Sequence, residues 1–145
     1  MIDPDRRQIE QTIRIDARPE TVWRYWTDPR RMCAWWGQSA ELDARPGGAC
    51  IVDLGGGAVM RGEYLELVPY ERIVFTFGWD PHRDGPDIAP GSSRVEITLV
   101  PDGFATILTL RHHDIPAGES DRHVAGWDHF LALLATAVHQ PDPEA

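Results

Sequence analysis

The chain alternates between two kinds of hydrophobic pattern. Near its start Ile9, Ile13 and Ile15 alternate with polar residues, which is typical of a half-buried strand. We therefore predict a first strand over Gln8–Asp16. The same period of two returns after residue 38, whereas the segments on either side of that region carry the three-to-four-residue spacing of amphipathic helices.

Two short helices are predicted directly after the first strand. Pro19 lies in a first helical turn, where its missing N–H costs nothing. Asp28 and Pro29 then interrupt this helix and begin another, because Asp caps helices well and Pro suits the first helical position. We expect the second helix to end at Trp36, before Gly37.

Short alternating stretches separated by hairpin-sized turns predict six further strands, which should form an antiparallel sheet. These stretches are Ser39–Asp43, Cys50–Leu54, Val59–Val68, Arg72–Trp79, Arg94–Val100 and Phe104–His113. The Pro- and Gly-rich segment Asp80–Ser92 is the longest predicted loop, and it would suit a mobile lid. In Val59–Val68 the phase is ambiguous, because Met60 and Tyr64 favour one inward face and Leu65 and Leu67 the other.

Helical periodicity returns at the C-terminus. The apolar stripe of this predicted long helix consists of Val124, Trp127, Leu131, Leu134 and Val138, flanked by Phe130. A single helix about 10–12 Å across is too narrow to fill the concave face of a curved sheet of this width. We therefore predict an α+β fold with a curved antiparallel sheet of six to seven strands around the C-terminal helix, and an apolar cavity between them.

Several sequence motifs follow one another in the order found in a known superfamily. They are Arg18-Pro-Glu-Thr-Val-Trp, Thr27-Asp28-Pro29, Trp35-Trp36-Gly37, Arg45-Pro-Gly-Gly, Gly62-Glu-Tyr-Leu-Glu-Leu, Pro69-Tyr-Glu-Arg-Ile-Val-Phe-Thr-Phe and Gly126-Trp127. From about Gln8 to Val138 the chain resembles the SRPBCC (START-like) superfamily. Within it, the closest resemblance is to the branch named after activators of the ninety-kilodalton heat-shock protein's ATPase. The resemblance implies the helix-grip fold, in one START-like domain over residues 1–145 with an ordered core of about 8–138.

The charge composition of the chain excludes some classes of binding partner. The chain has 14 basic residues, all of them Arg, against 23 Asp and Glu, and a net charge of −9. It therefore lacks the positive field that drives binding to nucleic acids or anionic membranes. The N-terminus has no apolar stretch of the secretory kind, and no apolar run approaches the ~20 residues of a membrane span. We expect a cytoplasmic protein with no membrane insertion, and its six tryptophans make a homodimer through an aromatic patch an open option.

Candidate cavity residues are the bulky or polar side chains that strand and helix phase direct inward. They are Trp26, Trp36, Tyr64, Phe75, Phe77, Trp79, Leu108, Leu110, His112, His123, Trp127, Phe130 and Leu131. Trp35 and Trp36 suit either a ligand-stacking platform or a plug for the open end of the sheet. Gly126 would let the helix approach the sheet closely.

His112 is the most suggestive polar candidate, because it is in phase with Leu108 and Leu110 and could anchor a ligand. Paired with a carboxylate such as Glu63, it could instead act as an acid or base. Cys33 and Cys50 match no metal-ligand spacing, and adjacent histidines on a strand cannot chelate one ion together. We therefore predict no metal site, no catalytic constellation and no cofactor.

Three functions remain open from the sequence. The leading one is binding of a small hydrophobic or amphipathic molecule between the sheet and the C-terminal helix, with His112, Tyr64 or Trp127 orienting it. The resemblance also allows a cavity-based cyclase, dehydratase or hydrolase that uses His112. The name of the related branch suggests a co-chaperone.

Overall fold

A computed structural model describes residues 6–81 and 88–139 of the chain. In sequence order its elements are β1 (Arg6–Ile15), α1 (Pro19–Thr27), α2 (Pro29–Met32), β2 (Ser39–Leu42), β3 (Ala49–Asp53), β4 (Val59–Val68), β5 (Arg72–Phe77), β6 (Ser93–Asp102), β7 (Ala105–Pro116), a short 3-10 helix (Ala117–Glu119) and α3 (Ser120–Ala137). The strands form one seven-stranded antiparallel sheet in the order β1-β7-β6-β5-β4-β3-β2. The predicted α+β helix-grip architecture is confirmed.

The two short helices begin where the sequence predicts. Pro19 occupies the first turn of α1, and the Asp28 side chain accepts a hydrogen bond of 3.0 Å from the backbone N–H of Arg30 at the start of α2. The predicted end of α2 is wrong, because the helix stops at Met32 rather than Trp36. Beyond Met32 the chain continues in tight turns whose N–H groups still bond to carbonyls of α2. Gly37 then adopts a φ of +87°, and a Cβ there would lie 2.4 Å from Val52.

Two irregular positions in the sheet control which side chains face inward. In β4 the pairing with β5 shifts between Tyr64 and Glu66, so Leu65 is an extra residue. In β7 the pairing with β1 also shifts near its C-terminal end, where Asp114 adopts a φ of +65°. Such bulges rotate the strand locally, and this one leaves both His112 and Ile115 buried on the inner face.

The β4 bulge resolves the ambiguous phase of this strand. Met60 and Tyr64 are fully buried, while Arg61 and Glu63 point to solvent and Leu65 is 44% exposed. Two of the three nitrogens of the Arg61 guanidinium, Nε and Nη2, donate to the two oxygens of the Asp80 carboxylate at 2.7 and 2.9 Å.

The segment after β5 is anchored at both of its described ends. Strand β5 ends at Phe77 instead of Trp79, although Trp79 still forms an isolated antiparallel bridge with Met60 of β4. Gly78, between Phe77 and Trp79, passes so close to Pro90 that a Cβ there would lie 2.3 Å from the Pro90 Cα. The backbone N–H of Trp79 donates a hydrogen bond of 2.7 Å to the carbonyl of the buried residue Ile88. Residues 82–87, on which the predicted lid depends, lie outside the described residues.

The tryptophans do not form an exposed patch. Trp26, Trp35, Trp36 and Trp127 are buried, and Trp23 packs against the buried core. The aromatic surface on which the homodimer option depended is therefore not formed by these rings. Over the described residues, none of the helices combines the length and apolar character that crossing a bilayer requires.

Candidate functional site

A pocket of about 200 Å³ lies between the inner face of the sheet and the N-terminal half of α3. Its walls come from the turn after α2, from the end of β5 and from α3, and consist of Trp36, Phe77, Trp79, Arg122, His123, Gly126, Trp127 and Phe130. The pocket is open to solvent on one side. It lies between the sheet and the C-terminal helix, where the sequence predicts an apolar cavity.

Aromatic side chains occupy most of that predicted cavity. Trp26 lies 6.4 Å from both Phe75 and Trp127, measured between ring centroids, and Tyr64 lies 6.4 Å from Phe75 on the far side. Tilted and edge-to-face pairs at such distances are favourable beyond the area they bury. The assumption that a single helix leaves a large hollow overlooked how much volume these rings fill.

The structure divides the predicted cavity residues into two groups. Those that line the pocket are Trp36, Phe77, Trp79, His123, Trp127 and Phe130. Those that are buried without lining it are Trp26, Tyr64, Phe75, Leu108, Leu110, His112 and Leu131. The side chains of the second group are buried in the core behind or beside the pocket wall.

Most of the side chains that line the pocket are aromatic and pack against one another. The Trp36 and Phe77 rings are almost parallel, with an interplanar angle of 2°, and Trp36 lies 5.3 Å from Trp127. Trp79 meets Phe77 edge-on at 5.4 Å. Trp36 is buried in the core and also lines the pocket, a position that is compatible with both of the roles left open for it. Trp35 is a core residue, and its Nε1–H donates to the Tyr25 carbonyl at 2.9 Å.

His112 belongs to a closed chain of hydrogen bonds behind the pocket. The Trp127 Nε1–H donates to Nδ1 of His112 at 3.1 Å, and Nε2 of His112 lies 2.9 Å from the Ser93 hydroxyl. That hydroxyl donates onward to the Phe77 carbonyl at 2.7 Å. An indole N–H can only donate, so His112 carries its proton on Nε2 and is neutral. Burial is the main cause that lowers the pKa of His112 well below its ordinary value, and the nearby His123 and His113 lower it further.

These bonds leave His112 no free lone pair for a ligand or a substrate proton. Its side chain is fully buried and does not line the pocket. The pairing with Glu63 considered from the sequence is not formed, because Glu63 points to solvent on the opposite face of the sheet. Tyr64 is committed in the same way, since its hydroxyl donates to the Trp26 carbonyl at 3.1 Å.

His123 forms a second imidazole–indole pair, and this one lines the pocket. The Trp79 Nε1–H donates to Nε2 of His123 at 3.1 Å, and Nδ1–H of His123 donates to the Glu119 carbonyl at 2.7 Å. Burial lowers the pKa of His123, while the Glu119 carbonyl and carboxylate act in the opposite direction. The ring is therefore a neutral part of an apolar wall.

Two pocket residues are absent from the predicted set. Gly126 was expected to allow a close approach of helix and sheet, but that expectation is wrong: a Cβ there would meet no other part of the protein within 4 Å. Arg122 lies at the pocket and its side chain is 53% exposed. Helical spacing could have found both, because Arg122 and Gly126 lie four residues apart on the face that continues to Phe130.

Metal-binding chemistry has no support among the described residues. Within ranges 6–81 and 88–139, no three His, Cys, Asp or Glu side chains are close enough together to hold an ion. Cys50 is fully buried, which raises the pKa of its thiol to about 12, and Cys33 is half-buried. Neither thiol is in the pocket.

A second depression lies on the other side of Phe130. It is a shallow and more open groove of about 350 Å³ lined by Cys33, Ala34, Trp35, Gly37, Gln38, Leu54, Phe130 and Leu133. Its larger volume reflects open solvent more than enclosure. The pocket beside His123 is the better candidate, because aromatic rings surround it.

Comparison with known proteins identifies the family. The model of the family described as Activator of Hsp90 ATPase homolog 1-like protein matches residues 16–139. The solved structure of protein CV1439 from Chromobacterium violaceum is similar over 97% of this chain and 100% of its own, with 30% identity and a TM-score of 0.76. An AHSA1-like protein from Rhizobium etli is 34% identical over 98% of this chain and 90% of its own, with a TM-score of 0.74.

DynU16, a protein in the dynemicin biosynthetic locus, has a TM-score of 0.80 and 26% identity. The match covers 94% of this chain but only 48% of DynU16, so the chain spans about half the length of that protein. No curated protein matches the chain. The family match covers most of the chain and agrees with the helix-grip fold and with the motif order in the sequence. The chain belongs to the family of Activator of Hsp90 ATPase homolog 1-like proteins.

Proposed function

We propose that this protein binds a small, largely apolar molecule in the pocket between the end of β5 and α3. The observation that carries the proposal is Gly126. Glycine in a helix interior is about 1 kcal/mol less favourable than alanine, and neither a close contact nor a positive φ requires it here. What its missing side chain provides is space in the pocket wall.

The chemistry of the walls supports an apolar ligand. Trp36, Phe77 and Trp127 present aromatic surface, and the histidine in the wall is neutral with both nitrogens bonded. Binding would proceed by removing the ligand's apolar body from water against these rings. Trp127 would contact the ligand directly, whereas His112 and Tyr64 would act through the rings that they hold in place.

An acid–base enzyme is less well supported by the same geometry. The neutral imidazoles of His112 and His123 both accept hydrogen bonds from indole groups. Proton abstraction by either ring would require one of these bonds to break first.

Titration with free indole tests the proposal. A planar two-ring molecule that buries about 150–250 Å² gains about 4–6 kcal/mol, which corresponds to dissociation constants of roughly 0.04–1 mM. The indole N–H signals of Trp79 and Trp127 in a proton–nitrogen correlation spectrum should shift on binding. The same titration of Gly126→Leu should show at least tenfold weaker binding, because the new side chain fills the pocket.

Ala125→Leu is the matched control, because it adds a leucine on the exposed side of the same helix turn. This variant should bind free indole as the parent protein does. Equal affinity of the Gly126→Leu variant for indole, or the absence of shifts at the Trp79 and Trp127 signals of the parent protein, would rule out this pocket as the binding site.

A further inference from the structure

The size of the pocket limits the ligand to one or two rings. A cavity of about 150 Å³ holds benzene, and pockets for drug-sized molecules span about 300–1,000 Å³. The volume of about 200 Å³ lies between these values. Trp36, Trp79, Trp127 and Phe130 all line the pocket, and aromatic side chains favour a planar ring over a flexible acyl chain, because rings can stack or meet edge-on.

The hydrogen-bonding groups of the wall are mostly used within the protein. The indole N–H of Trp79 donates to His123, and the indole N–H of Trp127 donates to His112. His123 in turn donates to the Glu119 carbonyl. A polar ligand group that entered the deep part of the pocket would lose its hydration without finding these partners, which is unfavourable. The polar end of a ligand is therefore expected at the open side.

Arg122 is the charged residue among those that line the pocket. Among residues 6–81 and 88–139, its contact to a carboxylate is an N–O distance of 3.4 Å to Oε1 of Glu119. A guanidinium has five N–H donors in a planar fork that matches a carboxylate, so this contact leaves most of its donors for another partner. Gly126, one turn further along α3, provides the space beside it.

We propose that the ligand is a planar molecule of one or two rings carrying a carboxylate, with the rings against Trp36 and Trp127 and the carboxylate on Arg122. This inference rests on the proposed function and specifies the ligand class of the same site. The net charge of −9 makes the role of Arg122 easier to test. Without a local cation the field of the whole protein disfavours an anion, so any preference for the acid must come from Arg122.

Two ligands of nearly equal shape test this inference, namely indole-3-carboxylate and the neutral indole-3-carboxamide. We expect the carboxylate to bind about fivefold more tightly, the scale of an exposed charge pair. Arg122→Gln should remove this preference, so that the acid and the amide bind this variant with equal affinity. Glu119→Gln should increase the preference, because it removes the competing carboxylate. Arg45→Gln is the control for total charge, since Arg45 pairs with Asp43 away from the pocket.

The outcomes separate the two proposals. Equal affinity for acid and amide, or a preference for the acid that survives Arg122→Gln, would overturn the role of Arg122 while leaving the pocket as a site for apolar molecules. Binding of none of the three indoles would remove the proposed function and this inference with it.

Discussion

Replacing Gly126 with alanine should make the protein more stable. The position lies inside α3, a Cβ there would meet no other part of the protein within 4 Å, and its φ is not in the left-handed region. The gain is therefore the intrinsic difference in helix propensity, about 1 kcal/mol. For a domain of this size that corresponds to a rise in melting temperature of about 2–4 °C. The cost should appear in ligand binding, because the methyl group enters the pocket.

Urea unfolding followed by circular dichroism measures this change, with free-indole titration on the same samples. Unchanged m-values would show that the comparison concerns the folded state. A matched measurement on Ala125→Gly should show the reverse effect on stability and none on binding, since residue 125 lies on the exposed face. A loss of stability in Gly126→Ala would refute the reasoning, because it would mean that the space beside α3 is not free.

Three further predictions concern the core and the helix ends. The free energy of unfolding should decrease as the pH falls below about 6.5. Burial lowers the pKa of His112 and His123 in the folded state, so the unfolded chain binds protons more readily. Urea titrations at pH 7.5 and 5.5 would measure this decrease, and equal stabilities at the two pH values would contradict it. Trp127→Phe should lower the free energy of unfolding by about 1–3 kcal/mol in addition to the loss from the smaller ring. The reason is that Nδ1 of His112 becomes a buried acceptor without a donor. A melting temperature equal to that of the parent protein would argue against the hydrogen bond. Asp28→Ala should lower the free energy of unfolding by about 1 kcal/mol because it removes the cap of α2, whereas Asp28→Asn should retain most of the capping energy. Calorimetry of the two variants compares their stabilities. Identical melting temperatures would speak against capping.

The order of elements was predictable because it depends on local signals. Each of these signals appears within a few residues of sequence. They are the alternation over β1 and β6, the proline and Asp28 at the start of the short helices, and the apolar stripe of α3. The face of β4 was not predictable, because the extra residue Leu65 changes the phase midway along the strand. A sequence with apolar residues in both phases is consistent with such a bulge but does not locate it.

The candidate site was only partly predictable for a different reason. Phase along a strand or helix shows that a side chain points inward, as it does for Phe75 and Phe77. It does not show whether that side chain packs against another ring or faces empty space. The difference depends on how far along the sheet α3 lies, which involves contacts between residues distant in sequence. For the same reason Gly126 was assigned a close approach, although a Cβ at this position would meet open space.

The paired imidazole and indole rings determine how the pocket can change shape. One bond joins α3 to β7 through Trp127 and His112, and the other joins it to the segment after β5 through Trp79 and His123. A translation of α3 along the sheet by one helical turn, about 5.4 Å, would break both bonds and leave unpaired polar groups in the core. Ligands of different size should therefore be accommodated by rotation of exposed or half-buried side chains at the open side, such as Arg122 and Phe130, while the helix keeps its register.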